Sequence, residues 1–171
     1  TTEIYTLSLH DALPIFALKK IMDKQVKFIS RGDKSGTHVS EMLLWENAGL
    51  KPQGDWYVIY EKGSEGNVAT LKYTNSQNAY TFIDRATYLS LKDSIKVGIV
   101  VEGDEAMLNF ISLIPVKPAK FPNVNHSDTM KFVHWLTSPE KGQLIIRDFG
   151  KDKYGSPLFF PNSVQWQKNK K

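Results

Sequence analysis

Residues 30–38, SRGDKSGTH, follow a short apolar run, VKFIS (26–30), and lead into VSEMLLWENAG (39–49), which carries the apolar spacing of an amphipathic helix. A strand, a polar turn and a helix start in that order expose backbone N–H groups without intrahelical acceptors, with the positive end of the helix dipole behind them. Such a turn attracts anions. Around those donors the sequence sets the guanidinium of Arg31, the hydroxyls of Ser35 and Thr37, and Gly36, whose bare backbone a ligand can approach closely. The residue types fit a small oxyanion. Ser, Asp and Thr are also ordinary turn and cap residues, so the alternative is a loop that serves only its own helix. Arg31-Gly32-Asp33 spells an adhesion tripeptide as well, a match too short to carry weight.

Composition supports a folded chain and narrows its partners. Of 171 residues, 41% are hydrophobic and 23% charged, enough for one good core or parts of two smaller ones. Lys and Arg number 22 against 18 Asp and Glu, a net +4 that favours anionic ligands weakly. Part of the excess lies at Lys168, Lys170 and Lys171. The basic residues are not interleaved with aromatics along one element, so nucleic acid is not expected as a partner. With no cysteine there are no disulfides or thiolate metal sites. No apolar run approaches the roughly 20 residues of a membrane-spanning helix. These 171 residues also hold no leader of the signal-peptide kind.

Residues 1–15, TTEIYTLSLHDALPI, do not join in pattern to the residues from Phe16 onward and read like translated adapter DNA. They are set aside as a non-native leader, and the His10-Asp11 pair with them. From Phe16, ALKKIMDKQ reads as the end of a helix with Leu18, Ile21 and Met22 on one face. Strands are expected at 26–30, 56–61, 79–83, 95–101 and 109–116, that at 95–101 being a near-continuous apolar run. Helices are expected at 37–48, with Val39, Met42 and Leu43 as the buried stripe, after the Gly/Ser turn KGSEGN (62–67), and from Asp84-Arg85 through Leu91. That second loop-to-helix start adds Gly66 and Asn67 to the candidate ligand residues. EGDEAM (102–107) is a polar turn. VKPAKFPNVN (116–125) reads as a domain crossing before two closing helices. The first spans 128–137 with Phe132, Val133 and Leu136 inward, and the second spans 139–148 with Ser138 as cap, Pro139 at its first position and Gly150 as its stop. LFFP (158–161) is expected against the sheet, with a disordered polar end beyond. Alternating strands and helices define an α/β class with a mainly parallel sheet, whose ligands lie beyond the carboxyl ends of the strands.

With these residues in place the chain resembles the tungstate-binding extracytoplasmic solute receptors of ABC transporters, which have the type II periplasmic-binding-protein fold. The resemblance runs from about Phe16 to Asn162 and rests on FISRGDKSGTH, LLWENAGLKPQGDWY, EGNVATL, NAYTFIDRATYLSLKD, VEGDEAMLNFISLIPVKPAKFPNVN and MKFVHWLTSPEKGQLIIRDFGKDKYGSPLF. Phosphate receptors of the same fold look alike at Arg-x-Asp-x-Ser-Gly-Thr, so the distinction lies in the later stretches. The resemblance implies a monomeric two-lobed clamp that closes on a tetrahedral dianion, tungstate or molybdate, without cofactor, bound metal or catalysis. It would hand that ion to a membrane permease from a periplasmic or extracytoplasmic position, a lipid anchor being one form of attachment there. Arg31, Ser35, Gly36 and Thr37 are the contacts it carries over. It also implies a Ser/Thr-rich loop in the first lobe that no stretch before Phe16 matches. The expected organisation is a central α/β lobe over 16–105 and a return over 106–171 to a first lobe that is incomplete.

Asp33 decides between anions. A protonated phosphate needs an acceptor, whereas a carboxylate facing a fully deprotonated dianion repels it. Paired with Arg31 or capping the helix, Asp33 leaves a donor-only loop; turned to the ligand, it favours phosphate. Two other classes compete. An enzyme would need Ser35, His38 and Asp84 to converge, and the chain has no G-x-S-x-G, H-E-x-x-H or Walker loop. His126 and His134 lack companions at metal-ligand spacing, and His38 fits a capping role. The ligand-binding domain of a transcriptional regulator would need a helix-turn-helix that these residues do not show.

Overall fold

A computed structural model describes residues 13–169, so His10-Asp11, Lys170 and Lys171 lie outside the described residues. The first element is helix α1, Leu13–Asp23, which buries Pro14, Leu18 and Ile21. Leu13, Pro14 and Ile15, from the stretch set aside as a leader, form its first turn. The chain reverses through Gln25, at φ 49°, into strand β1, Phe28–Ser30. β1 is the middle of a three-stranded parallel sheet in the order β2-β1-β3, with β2 at Tyr57–Ile59 and β3 at Tyr80–Thr81. Phe28 lies opposite Tyr57 on one side and Tyr80 on the other. Parallel neighbours need long crossovers. These are helix α2, Gly36–Asn47, between β1 and β2, and helix α3, Asn67–Gln77, between β2 and β3. Helix α4, Arg85–Leu91, follows β3.

The three strands are shorter than their apolar runs, because a strand extends only as far as its neighbours supply ladder bonds. Residues 95–101 and 109–116 are not strands at all. Their β-branched and aromatic side chains give strand propensity, yet among the described residues no segment pairs with them. Val100, Phe110, Ile111 and Ile114 are exposed. EGDEAM forms a 3₁₀ turn at Glu105–Met107, capped by Asp104.

The core joins α1, α2 and the sheet through Leu18, Ile21, Phe28, Leu44, Trp45 and Trp56. Trp45, with no exposed surface, meets Phe28 edge-on at 5.3 Å and Trp56 at 6.0 Å. The buried face of α2 is therefore not the expected one. Val39, Met42 and Leu43 are 50, 41 and 51% exposed, while Glu41, Leu44 and Trp45 face inward. The helix has apolar residues on both sides, and the side that wins carries the Trp45 indole, which packs in the core, and a carboxylate that satisfies hydroxyls of the sheet. Glu41 accepts hydrogen bonds from Ser30 Oγ (2.8 Å), Tyr57 OH (2.7 Å) and Trp45 Nε1 (3.3 Å). A polar residue at a core position is tolerated when its capacity is filled in this way.

By Cα packing the chain divides between Asn109 and Phe110 into two compact units. The second contains helices α5, His126–Thr137, α6, Gly142–Asp148, α7, Lys151–Tyr154, and α8, Val164–Lys168. Its centre is the side chain of Gln143, which donates to the Leu136 carbonyl at 2.8 Å and accepts from the N–H groups of Asn162 and Ser163, both at 3.0 Å. Several expectations need correction here. Helix α6 starts at Gly142 instead of Pro139: the Ser138 carbonyl accepts from Lys141 and Gln143, closing a turn first. Gly142 then packs so closely that a Cβ on it would lie 2.4 Å from Leu136 Cα. Gly150 ends α6 in the left-handed region, as its position in the sequence suggests. Phe132 is exposed and stacks on Trp135, while Val133 and Leu136 are half-buried. Phe159 meets Phe149 instead of a sheet, and the polar end holds α8, capped by Ser163.

One glycine fixes how the loop after β1 is seated. A Cβ on Gly63 would lie 1.9 Å from the carbonyl oxygen of Arg31. The obstacle is backbone, so Gly63→Ala must displace the Arg31 peptide. We expect the substitution to cost about 1–3 kcal/mol of stability. Urea unfolding of the two forms with the same midpoint would contradict this.

Candidate functional site

The carboxyl ends of β1 and β3 lie where the order β2-β1-β3 reverses, since the chain leaves β1 to one side and returns on the other. Open α/β sheets bind ligands at such a switch point. The loop from β1 places Arg31, Gly32 at φ +64°, Asp33 and Lys34 at φ +60° before Ser35, the N-cap of α2. Ser35 Oγ accepts from the His38 N–H at 3.4 Å, and the Ser35 carbonyl accepts from the Val39 N–H. The N–H groups of Gly36 and Thr37, in the first turn, have no intrahelical acceptor. His38 Nδ1 accepts from the Lys34 N–H at 2.9 Å and so braces the left-handed residue of the loop.

Asp33 faces into the loop. Its Oδ2 pairs with Arg31 Nη2 at 2.5 Å and its Oδ1 accepts from the Ser35 N–H at 3.1 Å. Burial alone would raise its pKa, but the hydrogen bonds from Ser35 and the Arg31 guanidinium outweigh this and hold it below the usual carboxylate range. The acceptor capacity that a protonated anion would need is thus engaged within the loop. Arg31 is 11% exposed at its side chain. Its Nη1 donates to Asn67 Oδ1, and its Nε is buried with no partner among the described residues.

The structure brings Arg31, Thr37 and Asn67 together. Asn67 Nδ2 donates to Thr37 Oγ1 at 3.2 Å and to Asp84 Oδ2 at 2.5 Å. Gly66, at φ +101°, is the N-cap of α3, and its N–H donates to the Gly63 carbonyl at 3.0 Å, so that donor is engaged locally. Ser35 and Gly36 lie at the same helix start as Thr37. Ser35, His38 and Asp84 do not form a nucleophilic triad. The Ser35 hydroxyl meets the backbone of His38 and not its ring, and Asp84 is held by Asn67 and by the N–H and hydroxyl of Thr87 at 2.8 and 2.6 Å. Glu102 pairs with Arg85. Among the described residues no three His, Cys, Asp or Glu side chains gather to hold a metal ion.

Glu41 and the tether role of Asp84 escape a reading of the sequence. Asp84 followed by Thr87 signals a helix cap, but its bond to Asn67 spans 17 positions and has no local signature. Burial pushes the Glu41 pKa up despite its three donors, and burial together with the Glu41 charge pushes the Tyr57 hydroxyl up, so Tyr57 stays a donor. The two carboxylates affect stability in opposite directions. Asp33, lowered in the folded state, contributes stability above its unfolded pKa, and that contribution is lost as pH falls through its folded value. Glu41, raised in the folded state, binds more protons folded than unfolded between its two pKa values, so stability falls there as pH rises. We expect Glu41→Gln to flatten this loss from the ordinary glutamate range upward while leaving the acid-side loss due to Asp33. Unfolding free energies with the same pH slope in both proteins would contradict it.

The family described as the PBP superfamily domain matches residues 8–140, and the chain belongs to that family. It is 45% identical over 162 residues to a tungstate-binding protein, TupA, of Peptoclostridium acidaminophilum, covering 93% of this chain and 55% of the relative. Among solved structures it is similar to the tungstate-binding protein TupA of Desulfovibrio alaskensis G20, with 36% identity and a TM-score of 0.72 over 88% of this chain and 60% of that one. It is also similar to a structure described as the tungstate ABC transporter of Geobacter sulfurreducens, with 33% identity and a TM-score of 0.65 over 86% and 62%. The fold is the PBP-like α/β fold. The chain spans about half the length of the curated relatives it matches. No helix among the described residues is long and apolar enough to cross a membrane.

Proposed function

We propose that the chain binds a tetrahedral oxyanion, tungstate or molybdate, as part of an extracytoplasmic receptor that delivers it to an ABC transporter permease. The observation that carries this reading is the pairing of Asp33 with Arg31 and the Ser35 N–H, which leaves the loop rich in donors and poor in acceptors. Arg31, the hydroxyls of Ser35 and Thr37, and the first-turn N–H groups at Gly36 and Thr37 are the contacts; at the start of α3 the backbone N–H of Asn67 adds to them, whereas the Gly66 N–H is taken by the Gly63 carbonyl. The description of the relatives as tungstate-binding proteins supports the choice of ion. Binding is the whole of the activity on this reading, with no cofactor, resident metal or catalysis, and the receptor works as a monomer in a periplasmic or extracytoplasmic position, a lipid anchor being one form of attachment there.

The test is calorimetric titration of the 171-residue chain with tungstate, molybdate, sulfate and phosphate at neutral pH. Tungstate and molybdate are expected to bind most tightly and phosphate, which carries a proton at that pH, most weakly. Tightest binding to phosphate would replace this reading with a phosphate receptor.

A further inference from the structure

Asn67 is anchored in two directions by partners that cannot exchange roles. Arginine has donors only, so the Asn67 atom facing Arg31 must be the amide oxygen. An ionised carboxylate has acceptors only, so the atom facing Asp84 Oδ2, 2.5 Å away, must be the amide nitrogen. The second amide hydrogen reaches Thr37 Oγ1 at 3.2 Å. Because that hydroxyl accepts from Asn67, its own proton points elsewhere and remains a donor. Asp84 is fixed in turn by the N–H and hydroxyl of Thr87 at the start of α4. The side chain of Asn67 therefore has no free amide hydrogen to offer a ligand, and its orientation depends on Asp84.

We propose that Asp84 is a positioning residue for the oxyanion site, acting through Asn67 to aim the Arg31 guanidinium and the Thr37 hydroxyl. The proposal rests on the oxyanion-receptor reading and adds to it a residue that does not touch the ligand. Without Asp84 the amide can rotate, Arg31 loses the acceptor that holds Nη1, and Thr37 loses the donor that orients its proton. The loops after β1 and β3, joined through the start of α3, then move independently.

The test compares the wild-type chain with Asp84→Asn, Asn67→Ala and the double variant. Asp84→Asn keeps one oxygen to cap the Thr87 N–H but turns an NH₂ group toward the NH₂ of Asn67. Tungstate affinity by calorimetry is expected to fall about tenfold in each single variant and no further in the double, because both remove one linkage. Additive losses, or wild-type affinity in Asp84→Asn, would overturn the proposal. A second measurement needs no ligand. Nuclear magnetic resonance of the free protein should show the Asn67 side-chain amide protons separate and protected from exchange in the wild type, and averaged and exposed in Asp84→Asn. Unchanged Asn67 signals would overturn the proposal whether or not tungstate binds. Failure of the wild type to bind tungstate, with the Asn67 signals changing as expected, would instead overturn the oxyanion reading and keep the linkage.

Discussion

Arg31→Ala is expected to lower tungstate affinity by about 10²–10³-fold, the largest effect on binding of any single substitution in this site. Three losses combine. The guanidinium is a positive charge drawn into the loop, and a charge-assisted bond to an anion is worth about 1.5–3 kcal/mol. Its removal also frees Asp33, whose carboxylate is now paired at 2.5 Å and would then repel a dianion. Finally, Asn67 Oδ1 loses its donor. Arg31→Lys restores the charge but not the two-sided grip on Asp33 and Asn67, and should recover only part of the loss. Titration calorimetry giving an Arg31→Ala affinity close to that of the wild type would place the site elsewhere. Unfolding in urea is expected to change by less free energy than binding does.

The largest effect on stability is expected from Glu41→Ala, at about 3–5 kcal/mol, because the substitution strips the acceptor from Ser30, Trp45 and Tyr57 together and opens a cavity beside the core. Each buried donor left without a partner costs about 1–3 kcal/mol. Domains are stable by only roughly 5–15 kcal/mol, so the variant should be close to unfolding at ordinary temperature. Glu41→Gln retains one acceptor and should lie between the two. A change below about 1 kcal/mol for Glu41→Ala would mean that those donors find other partners.

The parts of the molecule legible in the sequence are those with local chemical causes. The turn into α2 is announced by Ser35 and Gly36, the end of α6 by Gly150, and the parallel order by apolar runs alternating with helices. The loop that holds Arg31 is readable for the same reason, since strand, turn and cap follow one another. The features that stay hidden depend on partners far along the chain. No rule of spacing says that Glu41 rather than Val39 turns inward, because the reason is Tyr57 and Ser30 waiting on the sheet. The segments 95–101 and 109–116 carry the composition of strands, but composition cannot supply the neighbour that makes a ladder. The orientation of Asp33 is open in the sequence for a similar reason: both alternatives satisfy it, and only the placed guanidinium of Arg31 chooses between them.

The close seating of the loop after β1 bears on the speed of capture. The Arg31 peptide is packed against Gly63, a Cβ on Gly32 would lie 2.3 Å from Ile59, and the Arg31 side chain is held by Asp33 and Asn67 before any ion arrives. A loop assembled in advance has little to rearrange on encounter. Association should then be limited by diffusion and by attraction between the ion and the guanidinium, slowing as salt is added. Substitutions that loosen this seating would add a rearrangement to the encounter and slow the formation of the complex.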